Sequence, residues 1–160
     1  MKKIAIIGAG ISGLFFANLL NNSSGYDFTI FEKKTSLDLE EGYGIQLSVN
    51  SIKLLNEIGF SNIDKNKFYN PRKINFFNAK NNEKICDLDI SKFNYDNNKY
   101  TTLKRSTLLK FLLNNISKDK IKLNYKLKNL AYENKLILFF NENYTEEFDY
   151  LIVSDGIFSN

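Results

Sequence analysis

The sequence predicts an α/β fold, and three observations near its N-terminus support the prediction. Residues 4–7 form a short, continuously apolar run, which is typical of a buried parallel strand. The glycine-rich residues 8–13 follow, and the apolar residues after them recur on one helix face, with Asn18 as the polar exception. A second predicted strand, residues 27–31, ends at the acid Glu32. This order of strand, glycine turn, helix, strand and acid predicts a Rossmann-like dinucleotide-binding βαβ unit.

The glycine run reads G-x-G-x-x-G, and each glycine has its own physical role. Gly8 permits a tight turn out of the strand, Gly10 leaves room for a pyrophosphate to approach the backbone, and Gly13 lets helix and strand pack closely. The helix N-terminus presents free N–H groups and a partial positive charge to phosphates. The predicted cofactor-binding residues of this segment are Gly8, Ala9, Gly10, Ile11, Ser12 and Gly13.

Glu32 is the predicted ribose ligand, because it stands at the end of the second strand. Its carboxylate can accept hydrogen bonds from ribose hydroxyls and would repel a 2′-phosphate, so we expect an unphosphorylated ribose. The neighbouring Lys33 and Lys34 weaken that exclusion. The motif alone does not separate NAD from FAD, since both contain an ADP half. The alternative is a glycine-rich turn that binds nothing.

Composition excludes several kinds of chemistry. The chain contains no His, which excludes a Ser-His-Asp triad, a Cys-His pair and a His-ligated metal. The single cysteine, Cys86, excludes an intramolecular disulfide framework and a multi-Cys metal cluster, and its apolar neighbours predict a packing role. No metal site is therefore predicted, and we expect a reducing, cytoplasmic location.

The charge pattern argues against nucleic acid and membrane partners. The net charge is +4, and the 22 basic residues are all Lys except for Arg72 and Arg105. They are scattered along the chain among 18 acidic residues and form no basic block. Residues 4–20 are uncharged, yet they are short for a membrane span and contain three glycines. No small-residue cleavage site follows them, which argues against a signal peptide. We therefore expect a small-molecule ligand and no transmembrane segment.

The rest of the chain alternates between strand and helix patterns. A helix is predicted to begin near residues 48–51 and to end at Gly59, and Ser106 or Thr107 is predicted to cap another. The predicted strands are residues 74–77, 85–90, 100–103, 121–127, 131–132, 136–140 and 148–153. The last strand is apolar at its end and is expected to return to the central sheet. The strands within 72–103 interrupt the nucleotide-binding pattern, which predicts two interleaved lobes.

Four features in this order give the chain a resemblance to a known family. They are residues 8–13 with Glu32 and Lys33, residues 44–51 with the helix that ends at Gly59, residues 103–109 around Arg105, and residues 149–159 around Asp155-Gly156. The chain resembles the N-terminal part of the flavoprotein monooxygenases related to para-hydroxybenzoate hydroxylase, ubiquinone-biosynthesis hydroxylases and kynurenine monooxygenase. The match extends over essentially the whole sequence.

The resemblance implies FAD as the cofactor and NAD(P)H as a transient reductant. It assigns the pyrophosphate to the glycine turn and the adenosine ribose to Glu32, with Lys33 beside it. It further implies that Arg105 anchors the cofactor and that Asp155 and Gly156 serve both FAD and the reduced nicotinamide. The alternatives are a surface Arg at position 105 and a turn or helix cap at Asp155. The implied reaction is hydroxylation of an aromatic or related small molecule, and no residue is assigned as catalytic.

The resemblance also implies a domain organisation. Residues 1–160 correspond to an FAD-binding domain fragment with a Rossmann-like fold, and residues 72–103 to an interleaved, mainly antiparallel β segment of the substrate lobe. Members of the family are more than twice as long and carry a further "G-D" motif downstream. We therefore expect a C-terminally incomplete fold, either truncated or completed by a second chain, that alone binds FAD weakly and turns over nothing. The alternatives are an NAD-binding oxidoreductase domain and a non-catalytic remnant or interaction module.

Overall fold

The computed structural model describes residues 1–37, 39 and 43–156, apart from the side chain of Glu142. Residues 157–159 of the fourth sequence feature lie outside the described residues. The helices are α1 (Ile11–Asn21), α2 (Val49–Glu57) and α3 (Arg105–Asn114). The strands are β1 (Lys2–Ile7), β2 (Tyr26–Glu32), β3 (Gly44–Leu47), β4 (Phe68–Tyr69), β5 (Lys73–Phe77), β6 (Lys84–Asp89), β7 (Thr101–Lys104), β8 (Ile121–Leu123), β9 (Leu127–Tyr132), β10 (Leu136–Phe140), β11 (Thr145–Phe148) and β12 (Tyr150–Val153).

The chain divides into two compact units. The first unit comprises residues 1–40 and 109–160, and the inserted unit comprises residues 41–108. The boundary after residue 108 falls inside α3. Assignment of residues 72–103 to a substrate lobe stays a prediction.

A parallel four-stranded sheet organises the first unit. Its strand order is β12-β1-β2-β8, and β1 pairs in parallel with both β2 and β12. The α/β fold predicted from the sequence is confirmed, and the apolar run 150–153 does return to the central sheet. Ile4, Ala5, Ile6 and Ile7 are all buried, as expected for a parallel strand that is covered on both faces.

The two faces of this sheet are covered by different elements. The antiparallel sheet of order β11-β10-β9 covers one face, where Phe31 stacks on Phe140 with ring centroids 4.3 Å apart. Leu138 and Phe148 complete that core. Helix α1 packs on β1 and β2, and its Leu14 and Ala17 are fully buried. A helix layer, a parallel sheet and a second sheet therefore enclose the apolar strand residues.

Asn18, the polar exception on the apolar face of α1, has a structural role that the sequence did not show. Asn18 is buried, and its Nδ2 donates hydrogen bonds to the carbonyl oxygens of Leu14 and Leu112, each at 2.8 Å. The polar residue is accommodated because its amide group is paired, and it joins α1 to the last turn of α3.

Several element boundaries differ from those predicted, including the following three. The alternating run 121–127 is not one strand, because Asn124 adopts a left-handed conformation (φ +63°) and separates β8 from β9. The run 148–153 is divided at Asp149, whose N–H donates to the Lys3 carbonyl at 2.9 Å. Helix α3 begins at Arg105, directly after β7, so Ser106 and Thr107 lie in its first turn and do not precede it as caps.

The inserted unit contains an antiparallel sheet of order β3-β7-β4, helix α2 and the β5-β6 ribbon. Helix α2 follows the prediction: Ser48 caps it by accepting from the Ser51 N–H, and Gly59 follows it with φ +89°. The packing role predicted for Cys86 is wrong, because this residue is exposed in β6. A two-stranded ribbon exposes both of its faces unless another layer covers it.

A membrane-spanning helix is not found among the described residues, since none of their helices is both long enough and apolar enough.

Candidate nucleotide-binding site

Three neighbouring parallel strands end at one edge of the sheet in the first unit. Strand β1 runs into Gly8, β2 ends at Glu32, and β12 runs into Ser154. Main-chain hydrogen bonds join these strand ends. The Gly8 N–H donates to the Phe31 carbonyl, and the Ser154 N–H donates to the Ile7 carbonyl, each at 2.8 Å. The carboxyl edge of a parallel sheet is where α/β proteins of this type bind ligands.

Gly8 and Gly13 are required by the backbone of the turn itself. Gly8 has φ +100°, and a Cβ there would stand 2.9 Å from the carbonyl carbon of Ser154 and would overlap its oxygen. A Cβ on Gly13 would overlap the carbonyl oxygen of Gly8. The tight turn and the close helix–strand packing expected of these two glycines are therefore both present.

Gly10 differs from these two glycines, because a Cβ added to it meets no atom of the described protein within 4 Å. It is the N-cap of α1, supplies no capping side chain, and is followed by a first turn without an acidic residue. Partial positive charge at a helix N-terminus beside open space suits a bound anion. A diphosphate fits here, because the space that a side chain would fill at position 10 is left free.

The Glu32 carboxylate links the strand end to the glycine turn. Its Oε2 accepts from the Ala9 N–H and its Oε1 accepts from the Lys34 N–H, both at 2.9 Å. Each carboxylate oxygen has a further lone pair, so ribose hydroxyls can still donate to the same group. The sequence suggested only the ribose contact, whereas the structure adds a second role, because the acid also holds the Ala9 amide in place.

Asp155 and Gly156 follow β12 at the same edge. Asp155 is half-buried and Gly156 has φ +86°, so a turn leads away from the strand. The Ser154 carbonyl and the Asp155 Cα lie against Gly8, which brings this segment and the glycine turn together. Ser154 was not predicted from the sequence, because it contacts Gly8 through its main-chain carbonyl, which every residue type has.

The remaining predicted site residues are placed differently. Ile11 begins α1 and is half-buried, Ser12 beside it is exposed, and Lys33 is exposed directly after β2. Arg105 lies in the inserted unit, where its N–H donates to the Tyr43 carbonyl at 3.1 Å and its side chain is half-buried. The structure brings together the glycine turn, Glu32 and Asp155, and the role of Arg105 in cofactor binding remains a prediction.

The described residues carry no sign of a metal centre. No group of three or more Cys, Asp or Glu side chains is arranged to hold a metal ion anywhere in the described ranges. The described groups at the site are main-chain amides, the Glu32 and Asp155 carboxylates and a helix N-terminus.

Two comparisons of sequence point in the same direction. Residues 6–37 match the model of a family described as an NAD(P)-binding Rossmann-like domain. The chain is also 42% identical over 57 residues to 3-amino-4-hydroxybenzoate 2-monooxygenase from Streptomyces cremeus, a stretch that covers 36% of this chain and 14% of that enzyme. Both matches support the resemblance drawn from the motifs.

Solved structures extend the similarity to nearly the whole chain. HpxO from Klebsiella pneumoniae, solved with FAD and uric acid, superposes with a TM-score of 0.78 at 20% identity, covering 94% of this chain and 38% of that one. The 2,6-dihydroxypyridine-3-hydroxylase from Arthrobacter nicotinovorans gives a TM-score of 0.75 at 16% identity, with 94% and 36% covered. The chain thus spans little more than a third of these neighbours, and it has the fold of the N-terminal part of FAD-dependent hydroxylases.

Proposed function

We propose that this chain binds FAD as the nucleotide-binding part of an NAD(P)H-dependent flavin monooxygenase that hydroxylates aromatic or related small molecules. One observation carries the proposal: a turn whose glycines are required by the backbone at positions 8 and 13 leaves open space at Gly10, with the Glu32 carboxylate bound to the same turn. This arrangement suits the diphosphate and ribose of an ADP moiety. The FAD reported for the neighbouring Klebsiella structure supports the flavin over other ADP-containing cofactors.

Each residue of the site has a defined role in this proposal. The amides at the start of α1 bind the diphosphate, Glu32 accepts the ribose hydroxyls, and Asp155-Gly156 line the same edge of the sheet. Arg105, a fixed cation with five donors, anchors phosphate or ribose oxygens, and Lys33 contributes positive charge near the ribose. When bound, the flavin supplies hydride acceptance and oxygen activation, while the protein contributes position and electrostatics.

Residues outside this chain are needed for turnover in this proposal. More than half of the length of the similar structures lies outside the part that this chain matches. We propose that the flavin ring and the substrate are held by the equivalent of that part, in the same polypeptide or in a second one. Steady NAD(P)H oxidation by these residues alone with FAD would contradict this.

NAD binding is the second candidate, favoured by the description of the family whose model matches residues 6–37. It uses the same ADP site and differs in the second nucleotide. Titration of the purified protein with FAD and with NADH in parallel separates the two candidates. Quenched flavin fluorescence with no binding of NADH in the absence of FAD supports the proposal, and the reverse result supports NAD.

The Gly10→Val substitution tests the site itself. The valine side chain is expected to enter the space proposed for the diphosphate, and since an added Cβ contacts no other part of the described protein, we expect the fold to be retained. We expect the affinity for FAD and for ADP to fall at least about tenfold, because loss of charge-assisted hydrogen bonds costs about 1.5–3 kcal/mol. Fluorescence titration and calorimetry measure the change.

Gly44→Ala is the matched control. Gly44 also has no atom within 4 Å of an added Cβ and no positive φ, but it lies in β3 of the inserted unit. This variant should bind FAD as the wild type does. Unchanged affinity in Gly10→Val would contradict the proposal.

We also propose a cytoplasmic location. The exposed, free thiol of Cys86 is compatible with a reducing compartment. Fractionation of cells that express a tagged chain tests this.

A further inference from the structure

The main chain from Glu32 to Lys34 is held by a neighbouring segment of the first unit. Tyr125 N–H donates to the Glu32 carbonyl and Asn124 N–H donates to the Lys34 carbonyl, each at 2.9 Å. Lys34 N–H in turn donates to Glu32 Oε1. Residues 124–125 therefore fix the main chain from Glu32 to Lys34. The Lys34 N–H in this stretch orients the Glu32 carboxylate.

That segment has an unusual conformation. Asn124 is left-handed, with φ +63°, and it directly follows β8, whose Leu123 pairs with Glu32. A left-handed residue outside glycine requires support from its surroundings, since the conformation is sparsely populated. This support must hold Asn124 and Tyr125 so that the N–H groups of both residues point at the end of β2.

Asn141 supplies this support from the turn after β10. Its Nδ2 donates to the Asn124 carbonyl at 2.8 Å, and its Oδ1 accepts from the Lys126 N–H at 2.8 Å. Its own N–H donates to the Lys126 carbonyl at 3.1 Å. Asn141 thus forms hydrogen bonds to the residues on both sides of Tyr125. The Tyr125 ring packs edge-on against Phe31 and Phe140.

We propose that Asn141 is a positioning residue for the ribose-binding acid. By holding residues 124–126, it fixes the main chain from Glu32 to Lys34, whose Lys34 N–H orients the carboxylate, and so sets how strongly the site prefers an intact adenosine ribose. The hydrogen bonds of Asn141 go to Asn124, Lys126 and Tyr144, so its effect on Glu32 passes through the two main-chain hydrogen bonds from residues 124 and 125. The inference rests on the proposed function, because it assumes that Glu32 accepts the ribose hydroxyls.

The test compares ADP with 2′,3′-dideoxy-ADP, which lacks both ribose hydroxyls. The wild-type chain should bind ADP at least about tenfold more tightly, as hydrogen bonds to a charged group are worth about 1.5–3 kcal/mol. Asn141→Ala should lower this ratio to about threefold or less, because the carboxylate is no longer held in one orientation. Glu32→Gln sets the value expected when the charge itself is lost.

Asn21→Ala is the matched control. Asn21 also donates a side-chain hydrogen bond to a main-chain carbonyl of the first unit, that of Asn115 at 3.0 Å, but it lies at the far end of α1 from the glycine turn. The ratio of the affinity for ADP to that for 2′,3′-dideoxy-ADP should be the same in Asn21→Ala as in the wild type. A purely structural role for Asn141 would lower the melting temperature and weaken both ligands equally, leaving the ratio unchanged.

A second variant acts on the same segment by a different route. Asn124→Val places a β-branched residue at a positive φ, which it adopts poorly, so it should lower the ratio as Asn141→Ala does. If both variants keep the wild-type ratio while Glu32→Gln lowers it, the inference is overturned and the proposed function stands. If the wild type binds neither ADP nor FAD, the proposed function itself fails.

Discussion

At the scale of single residues, the three glycines of one motif answer to different constraints. Gly8 and Gly13 are required by contacts within the protein, whereas Gly10 is surrounded by open space. A sequence motif treats the three positions alike. The structure separates the two that maintain the turn from the one that leaves room for a ligand.

Gly13→Ala should therefore destabilise the protein, whereas Gly10→Ala should not. The added Cβ at position 13 overlaps the Gly8 carbonyl oxygen, and the helix must shift away from the strand. We expect a loss of about 2 kcal/mol or more in the free energy of unfolding, which is a fall of about 4–8 °C in melting temperature. Thermal melts of both variants measure it, and equal melting temperatures would contradict the packing role of Gly13.

At the scale of elements, one buried asparagine joins two helices. The Leu112 carbonyl lies in the last turn of α3, where carbonyl groups have no partner within their own helix. Asn18 of α1 satisfies it from the buried side. The helix pair therefore depends on a polar contact that an apolar helix face alone would not provide.

Asn18→Leu should destabilise the protein although it completes the apolar face of α1. The leucine is similar in size but leaves the Leu112 carbonyl buried and unpaired, which costs about 1–3 kcal/mol. Chemical denaturation measures the free energy of unfolding. Asn21→Leu, at an exposed position of the same helix, should change it by less than about 0.5 kcal/mol, and a stability gain in Asn18→Leu would contradict the argument.

At the scale of the whole molecule, a cluster of three polar side chains links the two sheets of the first unit. Lys122 of β8 donates to the Tyr144 hydroxyl at 2.5 Å and to Glu146 Oε2 of β11 at 3.0 Å. Its Nζ also lies 4.6 Å from the Tyr144 ring centroid. Burial acts to raise the pKa of Glu146, but the hydrogen bonds from Tyr144 and Lys122 together outweigh it and leave this pKa below its usual value.

This shift predicts a pH-dependent contribution to stability. Because the folded state lowers the pKa of Glu146, its contribution is present above the unfolded value near 4.5 and is lost as the pH falls through the lower, folded value. Glu146→Gln should cost about 1 kcal/mol at pH 7, or about 2–4 °C in melting temperature. The difference from the wild type should vanish in more acidic buffer.

Glu147→Gln provides the control for this experiment. Glu147 is an exposed neighbour on the same strand, so this variant should melt like the wild type at every pH. A wild-type advantage over Glu146→Gln that persists at low pH would show that the carboxylate charge is not responsible.

The sequence by itself determined the elements of the nucleotide-binding core. Apolar runs, glycine spacing and the acid after the second strand are local signals, so β1, α1, β2 and the return of β12 were predictable from them. The helix α2 was predictable for the same reason, since Ser48 and Gly59 mark its ends.

Only the tertiary structure decided what depends on residues far apart in the chain. Residue type does not reveal which distant segment a side chain will contact. For this reason the sequence did not show three features: the break between strands at Asn124, the burial of Asn18 and the exposure of Cys86. The same holds for Glu32, which binds Ala9 across 23 positions, and for Asn141, which holds Asn124 across 17. Periodicity records which side of an element is apolar, whereas hydrogen bonds between distant segments arise only once the chain has folded.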